Sequence, residues 1–399
     1  MARDGTTLTN CGIRVAGTRD TSTCAAIRHL SRQIGTNDIQ HLIVLFSGDH
    51  DAQSVCRELE SAFPQVPYSG CTTAGEFGPH GMSTGGIVAV AFPKHGFQIC
   101  SEVIQDIDQF GVERATNTVR SLRSKLLDNH SPATAARISD RASVENRVFA
   151  LLLVDGLSKF EEMLVAAINW AIGDLQLIGG SSADQLSRGE NLLIQNGRVL
   201  NNAALLLLVE TSFPFKAFRT QDFIPSDRKL VVTAADAEQR LVYELNAEPA
   251  AHEYARCIGQ MPADLDHNMF ASFPLGVRIG DEHYCRSVRS ANTDGSLSFF
   301  CAIDEGLVLT LAQRNDVVSA TEQTFKDLDQ ALGGLDLVIG FDCVLRRLDA
   351  EQRQMRHLLE NTYQKHRIVG FHTYGEQFNA MHLNQTLTGI AFGSGNRVV

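Results

Sequence analysis

Along the chain, runs of consecutive apolar residues alternate with stretches in which apolar side chains recur every three or four positions, and this alternation occurs three times in the same order. The first run is LIVLFSGDHD, which opens at residues 41–46. A continuous apolar run of this length suits a strand buried on both faces. Behind it Ala52, Val55, Cys56, Leu59 and Phe63 keep helical spacing, with Asp51 placed to cap the first turn. PYSGCTTAGEFG and GGIVAVAF follow and read as a short strand ending in a glycine loop, then a returning strand.

The second copy runs FALLLVDGLSKF, a helical stretch through Phe160, Met163, Leu164, Ala167, Ile168 and Ala171 behind Ser158, LQLIGGSSADQL and AALLLLVE. The third runs LDLVIGFDCV, a stretch through Leu348, Met355, Leu358 and Leu359 with Asp349 early in it, RIVGFHTYGEQF and TLTGIAFG. Equivalent loops at equivalent strand ends should gather on one edge of the fold, where loop residues carry function on a rigid scaffold. The expected fold class is mixed α/β: internally repeated strand-helix-strand units forming mixed sheets covered by helices.

Between the copies the pattern changes. Residues 128–146 mix charges around Asn129, His130, Ser131 and Pro132 and read as an exposed or disordered insertion. Pro214 and Pro225 punctuate residues 213–235, which read as a linker at a domain boundary, with a helical segment expected over residues 234–245. From residue 273 to 311, short β-rich runs separated by Thr293-Asp294-Gly295 and Asp304-Glu305-Gly306 predict an antiparallel meander. The division is therefore an N-terminal segment 1–40, a first domain 41–212, the linker 213–235 and a second domain 236–399.

Composition narrows the classes. The 399 residues are 44% apolar and 20% charged, with a formal charge of −11. An acidic chain without a basic stripe argues against nucleic acid as a partner. No apolar run reaches the roughly 20 residues that cross a bilayer, and the start lacks a signal-peptide pattern, so no membrane partner and a cytoplasmic location are expected. The nine cysteines are scattered with no C-x-x-C pair, which fits small buried residues in a reducing compartment rather than disulfides or structural zinc.

LIVLFSGDHD, PYSGCTTAGEFG, LIGGSSADQ, PLGVRIGDEHY and VGFHTYGEQFNAMHLNQTLTGIAFG together resemble the FIST family, paired N- and C-terminal FIST domains of bacterial signal-transduction proteins. The resemblance implies two FIST domains and a role in sensing small ligands such as amino acids. The TYGEQFNAMHLNQTLTG segment is similar to the nitric-oxide-sensing NosP branch, which implies haem b as cofactor, nitric oxide as ligand and a separate histidine kinase or cyclic-di-GMP enzyme as partner, in biofilm or quorum signalling. A second copy of the chain is a further expected partner.

A haem sensor needs a neutral imidazole on iron and an apolar slot. The third loop offers His372 and His382 flanking Tyr374, Glu376, Phe378 and Met381, where the first and second copies have Thr72 and Ser181 at the place of His372. His382 is the favoured ligand because it precedes a returning strand, with its other nitrogen held by a carbonyl, Asn384 or Glu376. His372 stands on a looser loop as the second candidate.

Glu76 and Glu376 occupy the same place in the first and third copies, and Gln185 stands there in the second. The pair could bind an ammonium group or act as acid and base; it could equally cap backbone amides behind a glycine turn. Cys71, beside Thr72 at a strand end, is either a nucleophile or an idle buried thiol, and no catalytic set accompanies it. The reading is a non-catalytic sensor, with an amino-acid-binding module free of haem as the alternative.

Overall fold

Successive side chains on each apolar run must go to opposite sides of a sheet, and in the computed structural model, which describes residues 6–128, 147–186 and 189–395, both sides are covered. On the strand Ile39–Ser47, Ile43 and Leu45 enter one core while Leu42, Val44 and Phe46 enter another. Phe149, Leu151 and Leu153 alternate with Ala150, Leu152 and Val154 in the same way on Val148–Val154. Leu337, Ile339 and Phe341 alternate with Val338 on Leu335–Cys343. The first-named sets belong to a single core shared by three sheets. The second sets pack under helices, with Thr23–Ile34 and Ala52–Ala62 over the first sheet and Val112–Asp128 and Glu161–Ile172 over the second.

The three sheets are built to one plan. In the first, Arg14–Thr18, Ile87–Pro93, Ile39–Ser47 and Tyr68–Thr73 lie side by side, with Thr6–Leu8 added outside; in the second the order is Phe97–Gln105, Ala203–Thr211, Val148–Val154 and Gln176–Ser181; in the third it is Phe215–Gln221, Thr386–Gly393, Leu335–Cys343 and Ile368–Thr373. In each, the last two strands named are parallel and the others antiparallel. The final two places in every sheet come from another copy. The hairpin Leu193–Gln195 and Arg198–Leu200 of the second copy completes the first sheet, Glu376–Phe378 and Met381–Leu383 of the third completes the second, and Glu76–Gly78 and Gly81–Ser83 of the first completes the third.

The expected division into segments is corrected on three points. Residues 1–40 are no separate segment, since Arg14–Thr18 pairs with Ile87–Pro93 and the helix Thr23–Ile34 packs on the first sheet. Residues 213–235 are no linker: Phe215–Gln221 is the edge of the third sheet and Phe223–Asp236 the middle of a fourth. Residues 234–245 form a hairpin with Leu241–Leu245 rather than a helix. The insertion expected at residues 128–146 lies, past Asp128 itself, outside the described residues.

The antiparallel strands expected over residues 273–311 lie in a fourth sheet, the meander unit, but not in simple meander order, since Glu282–Cys285 and Val288–Ala291 stand at its opposite edges. Glu282–Cys285, Leu275–Ile279, Val308–Arg314, Phe223–Asp236, Leu241–Leu245, Leu297–Phe299 and Val288–Ala291 pair in that order, all antiparallel. Leu230, Val242, Tyr254, Phe270 and Leu309 form its own core under the helices Ala250–Ile258 and His267–Ser272.

Gly70, Gly179 and Gly370 fix the register of the copies. They lie opposite Val44, Leu152 and Gly340 in the parallel ladders, and an added Cβ would come within 2.1, 2.0 and 1.8 Å of those residues' carbonyl oxygens. Because the obstacle is backbone, no rotamer change relieves it. Gly179→Ala should therefore cost at least about 3 kcal/mol or prevent folding, whereas Gly111→Ala, whose Cβ meets nothing within 4 Å, should change stability by less than about 0.5 kcal/mol. Urea unfolding of the two variants against the parent checks the contrast.

Candidate functional site

The loops after Tyr68–Thr73, Gln176–Ser181 and Ile368–Thr373 do meet, and they bond to one another in a ring. Ala74 N donates to His372 O (3.0 Å), Ala183 N to Thr72 O (3.0 Å) and Ser181 N to Gly375 O (2.8 Å). At the centre sit three equivalent residues, Ala74, Ala183 and Tyr374, in one apolar cluster with Ala271 and Phe300 of the meander unit. The gathering edge is thus roofed by the meander unit rather than open to solvent. Cys71, Thr72, Glu76, His372, Tyr374, Glu376, His382 and Asn384 are all buried.

Glu76 and Glu376 have matching surroundings. Glu76 accepts from Thr73 Oγ1 in its own loop, and from Ser83 Oγ (3.0 Å) and Gly86 N (3.1 Å) at the far end of its hairpin. Glu376 accepts from Thr373 Oγ1 (2.6 Å), Thr386 Oγ1 (2.8 Å) and Thr386 N (3.2 Å). Each carboxyl therefore ties the two ends of a hairpin that leaves for another sheet. Burial outweighs these donors and pushes Glu76 up to about 7 and Glu376 up to about 8. Gln185, in the remaining copy, instead reaches Thr84 O.

The two histidines are separated by their surroundings. His372 lies within the strand Ile368–Thr373, not on a loose loop. Its Nδ1 is 3.4 Å from Asp342 Oδ2 and its ring meets Phe77 edge-on at 5.2 Å. Asp342 belongs to a buried charge cluster, pairing with Arg346 and accepting from Tyr363 Oη (2.8 Å), while Asp222 receives Arg346 Nε (3.3 Å) and Arg314 Nη1 (2.9 Å). His382 lies on the second arm of its hairpin, paired with Gln377. The partner of its Nδ1 is Gln377 Nε2 (3.2 Å), not Asn384 or Glu376, and Gln377 also bonds Ser181 Oγ (3.0 Å). Asn384 instead donates to Tyr374 O (3.1 Å).

Burial pushes His382 down to about 4, so the imidazole is neutral, and its Nε2 has no hydrogen-bond partner. That donor chemistry fits an iron ligand. The space around it does not fit a porphyrin: a Cβ on Gly375 would lie 2.1 Å from His382 Cε1 and 2.5 Å from Nε2, so the ring stands directly on the Gly375 backbone. Phe378 and Met381, expected as the apolar walls, line a separate groove of about 700 Å3 beside Phe218, Leu328 and Tyr284. Among the described residues no group of three His, Cys, Asp or Glu side chains is placed to hold a metal ion.

Cys71 is wholly buried and its thiol is raised well above the ordinary range by burial, the idle-thiol arrangement. Thr72 Oγ1 receives Leu192 N (3.0 Å) and holds the first loop to the second copy's hairpin. Tyr374 Oη donates to Asp184, and its ring leans on Phe300 at 5.2 Å.

A cleft of about 300 Å3 opens beside this roof. Gly156, Leu157 and Lys159 of the second copy form one wall, and Gln239, Arg240, Arg289, Ser290, Ser298 and Phe300 of the meander unit form the other. Arg240 is 4% exposed and ties the unit down, with Nη2 at 2.6 Å from both Glu161 and Glu162 and Nη1 at 2.6 Å from Phe300 O. Glu162 also receives Ala302 N (2.6 Å). The Arg289 guanidinium lies 6.0 Å from the Phe300 ring centre and makes no hydrogen bond among the described residues. Sequence reasoning missed Arg240 and Arg289, since neither lies in a repeated motif.

Residues 40–248 match the FIST N domain and residues 250–379 the FIST C domain. The chain belongs to the FIST family. FIST domains are sensory domains of signal transduction. The boundary at 248–250 falls inside the meander unit, so the cleft takes residues from both matches, whereas His382 lies beyond the second. No curated protein matches the chain, and no helix among the described residues is long and apolar enough to cross a membrane.

Because Glu376 holds its proton in the folded chain up to about 8 but releases it near 4.5 when unfolded, the folded state binds the extra proton between these values and stability falls as pH rises through that window. Glu376→Gln mimics the protonated form. It should flatten the decline between pH 5 and 8 while costing less than about 1 kcal/mol at the acidic end. Thermal midpoints of parent and variant across that range test it.

Proposed function

We propose that this FIST protein is a non-catalytic sensor that binds a small anionic metabolite, a carboxylate such as an amino acid, in the cleft beside Phe300, and passes the event to a separate histidine kinase or cyclic-di-GMP enzyme. The observation that carries this reading is the Arg289 guanidinium, set over the Phe300 ring without a hydrogen bond among the described residues and facing a cleft whose walls come from both FIST segments. A planar guanidinium is suited to paired contacts with a carboxylate. Glu76 and Glu376, whose carboxyls are taken up by donors at both ends of the hairpins they tie, serve structure instead.

Binding would act through Arg240, which lines the same cleft and ties the meander unit to the helix Glu161–Ile172. A ligand carboxylate beside it competes with Glu162 for the guanidinium. Differential contact of this kind is what a ligand needs to shift a two-state equilibrium. The readout is then the seat of the meander unit on the loop ring.

A second reading, haem b reporting nitric oxide, is favoured by the neutral, unpartnered Nε2 of His382. It requires room at Gly375 that this arrangement does not give.

One comparison separates the two. A panel of amino acids is screened by thermal shift, and haem by absorption, on the parent, Arg289→Ala and His382→Ala. We expect at least one amino acid to stabilise the parent, by about 2.7 kcal/mol at a hundredfold excess over Kd, with the effect lost in Arg289→Ala and kept in His382→Ala. A panel without effect, together with a saturable Soret band lost in His382→Ala, overturns the metabolite reading in favour of haem.

A further inference from the structure

The cations that line the cleft beside Phe300 are unequally matched. Arg240 is held between Glu161 and Glu162. Lys159 Nζ has the neutral Gln239 Oε1 as its partner, at 2.6 Å, and the Arg289 guanidinium has the face of the Phe300 ring. No lining residue is acidic. Carboxylates next to or behind the walls are engaged elsewhere: Asp155 accepts from Leu157 N (3.0 Å) and Asn202 N (2.8 Å), Asp236 from Gln239 N (2.9 Å), and Asp184 from Leu186 N (2.7 Å), Gly189 N (2.6 Å) and Tyr374 Oη. Two positive charges at the cleft are thus left without a carboxylate partner.

These two charges stand on opposite walls. Lys159 belongs to the second copy and Arg289 to the meander unit. The bond from Lys159 to Gln239 runs from one wall to the other, so the ammonium already reaches across the opening. The lysine is not a demand of the scaffold, because the corresponding loop of the first copy, residues 47–51, carries Asp49 and Asp51 and neither lysine nor arginine. Leu157, Leu241 and the Phe300 ring supply the apolar part of the lining. A compact dianion such as phosphate would meet one wall at a time. Two carboxylates joined by a few methylenes can meet both, with the hydrocarbon on the apolar part. A volume of about 300 Å3 lies at the small end of ligand pockets and keeps that chain short. The ammonium of an amino acid, in contrast, finds no acidic side chain to pair with, and a charge taken from water without a partner is costly.

We infer, on the reading that this cleft is the sensory site, that its ligand class is short dicarboxylates, with one carboxylate on Arg289 and the other on Lys159, and that an amino group on the ligand is not recognised. Lys159 exchanges a neutral acceptor for a charged one, and the Gln239 amide it leaves can donate to the same carboxylate. A diacid therefore bridges the second copy and the meander unit. A monocarboxylate occupies only the Arg289 side.

Titration calorimetry of the full chain with glutarate, butyrate, glutamate and glutamine tests this. Glutarate should bind at least about fivefold more tightly than butyrate, equivalent to about 1 kcal/mol for an ion pair at a partly open site, and glutamate should exceed its isosteric amide glutamine by the same factor. Glutarate should bind no more weakly than glutamate. In Lys159→Met, a change at an exposed position, the advantage of glutarate over butyrate should shrink to within about twofold. Glutamine binding as well as glutamate, glutamate binding more tightly than glutarate, or an advantage of glutarate that survives Lys159→Met overturns the inference and leaves the cleft as a site for monocarboxylates or amino acids. Inorganic phosphate binding more tightly than glutarate overturns it as well. If none of the four compounds binds, the sensory reading of the cleft falls and the inference falls with it.

Discussion

No copy of the repeat can satisfy its own sheet. The strand that ends in each glycine loop has an open edge on its outer side, and an open edge is a row of unpaired amide and carbonyl groups. Each copy sends its hairpin to another copy's edge and receives one in return, in a closed cycle of three. The remaining features follow from this exchange. The loops must cross where the hairpins depart, so they are pressed together at the centre of the molecule. Their polar groups must then be satisfied there, which Thr73, Thr373 and the two glutamates accomplish inside the crossing itself.

The exchange also explains the cover over the ring. Three loops converging with Ala74, Ala183 and Tyr374 inward leave an apolar patch at the end of the shared core. The meander unit closes it with Phe300 and Ala271 and is held by Arg240 against Glu161 and Glu162. A buried charged tie of this sort contributes little net stability but is costly to leave half-made. It therefore suits a joint with one well-defined seat, responsive to any competing charge beside it.

Most of the scaffold was legible in the chain because its strands are buried on both faces and its helices on one, so periodicity reports them directly. The loop equivalences of Thr72, Ser181 and His372 followed from the same repeat and hold in the ladders. The exchange was not legible: arms of three residues such as Glu376–Phe378 carry too little pattern to name a partner strand. Residues 213–235 resembled a linker because Pro225, Asp227, Arg228 and Lys229 interrupt the strand, at the point where its ladder slips. The cluster of ligand types around His382 misled for a geometric reason. Neighbours along a hairpin alternate faces, so Met381 points to the outer groove while His382 points to Gly375. Arg240 and Arg289 come together only through tertiary packing, and no local pattern marks them.

The closed cycle has an outcome for the way the molecule is made. The first sheet can be completed once residue 200 has been synthesised, because its borrowed hairpin ends at Leu200. The second sheet waits for Leu383, and the hairpin Glu76–Ser83 of the first copy has no sheet to join until the third has formed from residues 335–393. The nascent chain thus carries two unfinished edges until the third copy has been made, with contacts that span about 300 residues and form slowly. A chain cut short within the third copy would lose the third sheet, leave the second edge bare and strand the first copy's hairpin, so quality control would see one lesion as three.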